Sequence, residues 1–107
     1  MTDWVIEFHE AARIEVADWP LELRAALNRI FDRILAVGLE RVREPLVKHI
    51  DGKIWEMRAS GSDLEGRALY VAVTGKRVVV VLAFIKKTQK TPRKLIALAL
   101  KRVEQIQ

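Results

Sequence analysis

The apolar and polar positions in the first third of the chain predict one strand followed by two helices. Residues Trp4–Phe8 (WVIEF) form a short, β-prone run that is typical of a first strand. From Glu10 to Asp18, apolar residues recur at every third position, which indicates a weakly amphipathic helix. Trp19-Pro20 ends it, because proline bars its predecessor from helical geometry but suits the first turn of a new helix. We expect that second helix to end at a left-handed cap on Gly38, and its apolar face consists of Leu23, Leu27, Ile30, Phe31 and Ile34.

The second half of the chain has the two-residue period of strands. Residues 39–52 are charged and irregular and end in the turn signal Asp51-Gly52. The run VVVVLAFI is apolar on both faces, which is typical of a central strand. The turn signal Gly75-Lys76 predicts a tight hairpin between the last two strands. The three strand candidates are Lys53–Ala59, Arg67–Thr74 and Arg77–Ile85.

A last helix completes the predicted order. Thr91 suits an N-cap and Pro92 a first helical position, and apolar residues then follow helical spacing to the end of the chain. The order β-αα-βββ-α predicts an α+β fold. We expect a small, twisted, mostly antiparallel sheet packed against a helical hairpin, with the last helix at the C-terminus.

Length and composition restrict the class of protein. A chain of 107 residues, half of them hydrophobic, predicts a single domain over residues 1–107. The sequence has no cysteine, and its two histidines lack carboxylates at a metal-binding spacing, so we expect no metal site and no cofactor. No signal peptide or membrane span is visible, which favours the cytoplasm.

Charge is divided unequally along the chain. The first 65 residues hold 13 acids against 9 lysines and arginines, whereas the remaining residues hold one acid, Glu104, against ten. A one-sided excess of this size favours a polyanionic partner, although a solvated basic surface would give the same count.

Five cations and no acid stand where the last strand meets the last helix. They are Lys86, Lys87, Lys90, Arg93 and Lys94. Each cation in the first turn of a helix costs about 0.3–1 kcal/mol, because it faces the positive end of the helix dipole. A bound anion would offset that cost, so we interpret the cluster as a binding surface for the phosphates of a polyanion. Lysines placed in an exposed loop for solubility are the alternative.

Other candidate side chains lie on the predicted strands. Arg58 and Arg67 are placed to hold a phosphate through paired hydrogen bonds; for Arg58, an ion pair with Glu56 on the same strand face is an equal alternative. Tyr70 carries a polar tip that suits a site, although core packing explains a lone strand tyrosine better. His49 has the chemistry of a general base, but a single loop histidine is more often incidental.

Three segments of the sequence carry a family resemblance. IWEMR (residues 54–58), GRALY (66–70) and LAFIKKTQKTP (82–92), followed by a helix ending in ALKR, resemble the HigB-like branch of the RelE toxin superfamily, which includes many phage-derived proteins. The resemblance implies a RelE-like fold and a toxin of a type II toxin–antitoxin pair. Such a toxin cuts messenger RNA on the ribosome, without a metal, by attack of the ribose 2′-hydroxyl on the adjacent phosphate.

The resemblance also implies partners and residue roles. The partners would be a helix-turn-helix antitoxin of the HigA kind, the ribosome and messenger RNA. Arg58 and Arg67 would face the scissile phosphate, Lys87 would help to transfer a proton, and Tyr70 is a weaker catalytic candidate. Lys86, Lys87 and Lys90 would hold the RNA backbone. Two alternatives stay open: a ParE-like toxin that inhibits DNA gyrase, and a nucleic-acid-binding module without enzymatic activity.

Overall fold

A five-stranded sheet divides the helices into two layers in the computed structural model, which describes residues 1–87 and 89–106. The strands lie in the order β1-β5-β4-β3-β2. β1 pairs with β5 in parallel, and the other neighbours are antiparallel. The elements are β1 (Val5–Phe8), α1 (Glu10–Ala17), α2 (Leu21–Val37), β2 (Val47–Asp51), β3 (Ile54–Ser60), β4 (Glu65–Val73), β5 (Arg77–Ile85) and α3 (Arg93–Val103).

The predicted fold class is confirmed. The mixed α+β architecture and the order β-αα-βββ-α are those of a RelE-like fold. The apolar run VVVVLAFI forms β5, which lies between β1 and β4 as its two apolar faces predict. No helix in the described part of the chain is long and apolar enough to cross a membrane.

The helical hairpin covers one face of the sheet. The buried side of α2, which includes Leu23, Leu27 and Ile34, packs on side chains that alternate along β3, β4 and β5. Trp19, in the break between α1 and α2, is 4% exposed and lies flat over Gly66 on β4. A Cβ atom at position 66 would come within 2.7 Å of the Trp19 ring, so only glycine fits under the indole there.

Helix α3 covers the other face of the sheet. Leu95, Leu98 and Ala99 pack on a second apolar cluster formed by Ile54, Leu69, Val71, Val79, Val81 and Leu82. The register of β4 against β5 shifts at Leu69/Tyr70, and Val81 and Leu82 consequently both face α3. Residues with side chains on this face therefore belong to a different layer from those under the hairpin.

One strand was not predicted. Val47–Asp51, within the segment expected to be irregular, forms β2 at the edge of the sheet and pairs with β3. Only Val47 of this strand is buried, and the others are charged, polar or half-exposed. Edge strands carry such residues because one of their sides faces solvent, and the alternation that identifies interior strands is therefore weak.

One predicted helix cap differs from the structure, and the other is confirmed. Pro92, rather than Thr91, is the N-cap of α3, and the Thr91 hydroxyl donates to Glu56 instead. Gly38 ends α2 as predicted, with φ 92° in the left-handed region that favours glycine, although its ψ of 149° differs from that of a left-handed helical residue. Helix α3 ends at Val103, and the predicted continuation to Gln107 ends outside the described residues.

Candidate functional site

Arg58 and Arg67 lie side by side on the α3 face of the sheet. They are directly opposite each other in the register of β3 and β4. Because successive strand residues point to opposite faces, Glu56 shares this face with Arg58. The sequence predicted that Glu56 and Arg58 share one face of this strand, and the pairing of β3 with β4 brings Arg67 beside Arg58.

A buried carboxylate joins the two arginines. Glu56 is fully buried, and its Oε1 accepts hydrogen bonds from Arg67 Nη1 at 2.5 Å and from Arg58 Nε at 3.3 Å. Its Oε2 accepts one from the Thr91 hydroxyl at 2.7 Å. A buried charge is stable only when it is paired and hydrogen-bonded. Glu56 is thus the shared anchor of both arginines and of the segment that precedes α3.

A second carboxylate holds Arg67 from the other side. Arg67 donates to Glu65 Oε2 from Nε at 2.7 Å and also from Nη2, and Lys86 Nζ lies 3.5 Å from the same oxygen. Partial burial opposes ionisation of Glu65, but the hydrogen bonds and charges of Arg67 and Lys86 outweigh it and lower the pKa of this carboxyl below its usual value. Arg67 is consequently fixed between two carboxylates and only 5% exposed.

The arginines open onto a cavity of about 240 Å³ between β2, β3 and the segment before α3. Its cationic residues are Lys48, Arg58, Arg67 and Lys90, against the single carboxylate of Glu56. Gln89 and Thr91 contribute uncharged polar atoms to the cavity lining, and Ile50 and Ile96 form its apolar part. Arg58 donates to Glu56 through Nε, and its side chain is 27% exposed, so it is the more accessible arginine of the pair.

The predicted cation cluster is divided by the fold. Lys90 lines the cavity with the arginines, and Lys86 is tied to Glu65 beside them. Lys87, Arg93 and Lys94 are exposed and, in the part of the chain that the structure describes, lie outside the cavity wall. Thr88, within the motif FIKKTQKTP, lies outside the described residues. The cations therefore form a cavity group and an adjacent surface group.

Tyr70 is separated from the arginines by the sheet. It packs in the core under the helical hairpin, is 2% exposed, and burial raises the pKa of its phenol well above the ordinary value. The structure therefore does not place it with Arg58 and Arg67, and the alternative of core packing describes its position.

His49 lines part of the cavity, but its ring packs against a residue of the other sheet face. It lies opposite Trp55 in the strand register, and the two rings pack edge-on with centroids 5.2 Å apart. Its Nε2 lies 2.6 Å from the Gly52 carbonyl oxygen, which requires a proton on Nε2. Its position supports a structural role.

The charges of this arrangement could hold an anion. Two guanidinium groups held in fixed orientation, with two lysines at the cavity wall, suit the oxygens of a phosphodiester. Among the described residues, no group of three or more histidine, aspartate or glutamate side chains is placed to hold a metal ion.

Two residues of the candidate site were not predicted from the sequence. Glu56 was considered only as a partner of Arg58, whereas it binds Arg67 more closely and also Thr91. Lys48 was not considered, because its strand was not predicted. The sharing of one strand face by Glu56 and Arg58 was the available signal for the first, and no comparable pattern existed for the second.

The fold defines a small α+β protein of the RelE-like kind, and the arginine pair at the cavity is its candidate site. Residues 15–104 match the family model described as Phage derived protein Gp49-like (DUF891), and the chain belongs to that family. This is a family of toxin–antitoxin toxins related to RelE and HigB, which implies an antitoxin partner. A comparison with curated proteins found no match.

Proposed function

We propose that this toxin is an endoribonuclease of the HigB-like branch that cuts messenger RNA on the ribosome without a metal. The observation that carries the proposal is the pair Arg58–Arg67, held by the buried Glu56 at a cavity that two lysines also line. Such a cluster gives a phosphate a fixed binding place. A toxin that inhibits a protein target needs no site of this kind.

The proposed reaction is a transfer within the RNA chain. The ribose 2′-oxygen forms a bond to the adjacent phosphorus, and the bond from phosphorus to the 5′-oxygen of the next nucleotide breaks. The 2′-hydroxyl loses a proton and the leaving oxygen gains one, so the products are a 2′,3′-cyclic phosphate and a 5′-hydroxyl. The negative charge that accumulates on the pentacoordinate phosphate is the charge that the cations must stabilise.

Residue roles follow from accessibility. Arg58 donates to the phosphate oxygens through its exposed side, while Arg67, between Glu56 and Glu65, contributes charge and keeps the pair in place. Lys90, beside them, contacts the RNA backbone together with Lys86, Lys87, Arg93 and Lys94. We assign proton transfer to Lys87, which is exposed at the end of β5, and no chemical step to Tyr70.

The cellular setting follows from the proposed substrate. The whole chain, residues 1–107, acts as one toxin domain in the cytoplasm, where ribosomes and messenger RNA are its targets. The antitoxin is a helix-turn-helix protein of the HigA kind. Binding of the antitoxin keeps the toxin away from the ribosome until the antitoxin is degraded.

The test is inducible expression in bacteria with mapping of transcript ends. We expect the wild-type chain to arrest growth and to create new 5′ ends within translated messages. Arg58→Ala should lower cleavage about 100-fold, because it removes a donor to the developing charge. Arg58→Lys keeps the charge but not the paired donors, so its cleavage activity should lie between that of the wild type and that of Arg58→Ala. Lys101→Ala, an exposed change on α3, serves as the control.

Two outcomes would contradict the proposal. Growth arrest with intact messenger RNA and a DNA-damage response would indicate a ParE-like inhibitor of gyrase. RNA binding without new ends, and with Arg58→Ala equal to wild type in toxicity, would indicate a binding module.

A further inference from the structure

A hollow larger than the arginine cavity lies on the opposite face of the sheet. It has a volume of about 730 Å³ and opens beside the end of α2. We call it the aromatic groove and define it by Trp4, Leu39, Val42, Trp55, Tyr70 and Ala72, which line it. The proposed phosphate chemistry uses none of these residues.

The groove presents apolar surface that the fold leaves uncovered. Trp55 is 39% exposed, although it lies on a strand face that is otherwise buried under the hairpin. An exposed tryptophan beside a concave apolar surface is typical of a protein-binding site, since aromatic residues contribute most to such interfaces. Volume and lining together suit one or two bulky apolar side chains of a partner.

The hydroxyl group of Tyr70 can serve as a hydrogen-bond donor in the groove. Within the described part of the chain, the Tyr70 hydroxyl forms no hydrogen bond, although the residue is only 2% exposed. In the same part of the chain, no fully buried side-chain oxygen or nitrogen lacks a partner. The hydroxyl therefore reaches the open space of the groove that Tyr70 lines. A buried hydroxyl in this position would donate to an acceptor on a bound partner.

Basic residues continue the surface next to the groove. Arg33, Arg41 and Arg43 line an adjoining hollow of about 600 Å³, and Arg43 and Glu40 belong to both hollows. All three arginines are exposed, and none takes part in an ion pair between described residues. Glu40 and Glu44 also line the groove, so the two hollows together hold three arginines against two acids.

We propose that the aromatic groove is the anchor site for the antitoxin, which inserts bulky apolar side chains from a segment that also carries acidic residues. The apolar side chains fill the groove, a backbone or side-chain oxygen accepts from Tyr70, and the acids contact the three arginines. A second copy of this chain is a poor occupant, because its net charge of +5 would oppose the same arginines. The proposal rests on the antitoxin partner that family membership implies and is independent of the proposed nuclease activity.

The test measures binding of the purified toxin to the product of the adjacent open reading frame, by calorimetry at low and high salt. We expect Trp55→Ala to weaken binding about tenfold or more and Tyr70→Phe, which removes only the hydroxyl, by about 3- to 10-fold. Arg41→Glu combined with Arg43→Glu should weaken it by about tenfold at low salt and less at high salt. Arg29→Glu, an exposed charge reversal on α2 outside both hollows, is the matched control.

This experiment can reject the antitoxin site without rejecting the nuclease activity, and the reverse. Variants of the groove should keep full RNA cleavage, and Arg58→Ala should keep full antitoxin binding. The double arginine change lies on exposed positions, so it remains informative even if Trp55→Ala does not fold.

Several results would overturn the anchor site. These are absence of binding to the wild-type chain, equal affinity for wild type and every groove variant, or a groove variant that changes only RNA binding or self-association. Self-association would be measured by sedimentation.

Discussion

At the scale of single residues, the site depends on Glu56. This carboxylate has no exposed surface and connects β3, β4 and the segment before α3 through Arg58, Arg67 and Thr91. Removal of one partner from a buried ion pair leaves the other charges without compensation, which costs more than the pair itself contributes. Removal of the Glu56 charge should therefore lower stability more than removal of the charge of the more exposed Glu65.

The change Glu56→Gln tests this dependence. It keeps the shape and the acceptor oxygen but removes the charge, and we expect the free energy of unfolding to fall by about 3 kcal/mol. Glu65→Gln, at a carboxylate that is 34% exposed, should cost about 1 kcal/mol or less. Urea denaturation of the three proteins measures both differences. Equal losses in the two variants would show that Glu56 is not the anchor.

The strand face that each residue occupies could be predicted from the sequence, but the residues that it contacts on other elements could not. The two-residue period placed Glu56 and Arg58 on one face and Trp55 and Met57 on the other, as the structure has them. The period cannot show that Arg67 would stand opposite Arg58, because that depends on the register of two strands. The bond from Thr91 to Glu56 joins residues that are 35 positions apart, so local sequence predicted a cap on α3 for Thr91 instead.

At the scale of elements, an uncovered edge of β5 is closed by side chains. β1 pairs with β5 only as far as Val80, and the next backbone groups have no strand beside them. Glu15 on α1 accepts from the Ala83 amide at 3.0 Å, and Arg102 on α3 donates to the Val81 carbonyl at 3.0 Å. The two side chains also bind each other through two hydrogen bonds of 2.9 Å. The pair thus protects the strand edge and links the two helical layers.

Arg102→Ala should release this link. Its loss leaves the Val81 carbonyl without this donor and Glu15 without its cationic partner, and we expect the free energy of unfolding to fall by about 2 kcal/mol. Exchange of the Ala83 amide hydrogen should become faster, because Glu15 loses the group that holds it in place. Lys101→Ala, at the exposed neighbouring position, should change stability by about 0.5 kcal/mol or less. If both variants behaved alike in denaturation and exchange, the link would have no structural effect.

Interior elements could be predicted from the sequence, and edge elements could not. β5 and α2 carry long apolar patterns because both are buried, and their positions were confirmed. β2 was missed because four of its five residues are exposed or half-exposed, and its only partner is β3. A strand of this kind is specified by its neighbour, which the local pattern of residues does not contain.

At the scale of the whole molecule, folding separates two surfaces that the sequence interleaves. Arg67 and Tyr70, three residues apart on β4, belong to the arginine cavity and to the aromatic groove on opposite faces of the sheet. The excess of basic residues in the last third of the chain is correspondingly divided. One part is neutralised by Glu56 and Glu65, and another part, which includes Lys87 and Lys94, remains exposed. Net charge therefore overstates the number of cations available to RNA.

The dependence of RNA binding on salt measures how many cations are available. Each cation that contacts a phosphate of a single strand contributes about 0.7 to the slope of log affinity against log salt, because it releases counterions. With a 2′-O-methylated RNA oligonucleotide, which lacks the attacking hydroxyl, we expect Lys87→Ala to reduce the slope by about 0.7. Arg29→Ala, at an exposed position on α2, which covers the opposite face of the sheet, should leave it unchanged. Parallel lines for wild type and Lys87→Ala would mean that the exposed lysine does not contact the RNA, and the surface group of cations would then have to be removed from the proposed interface.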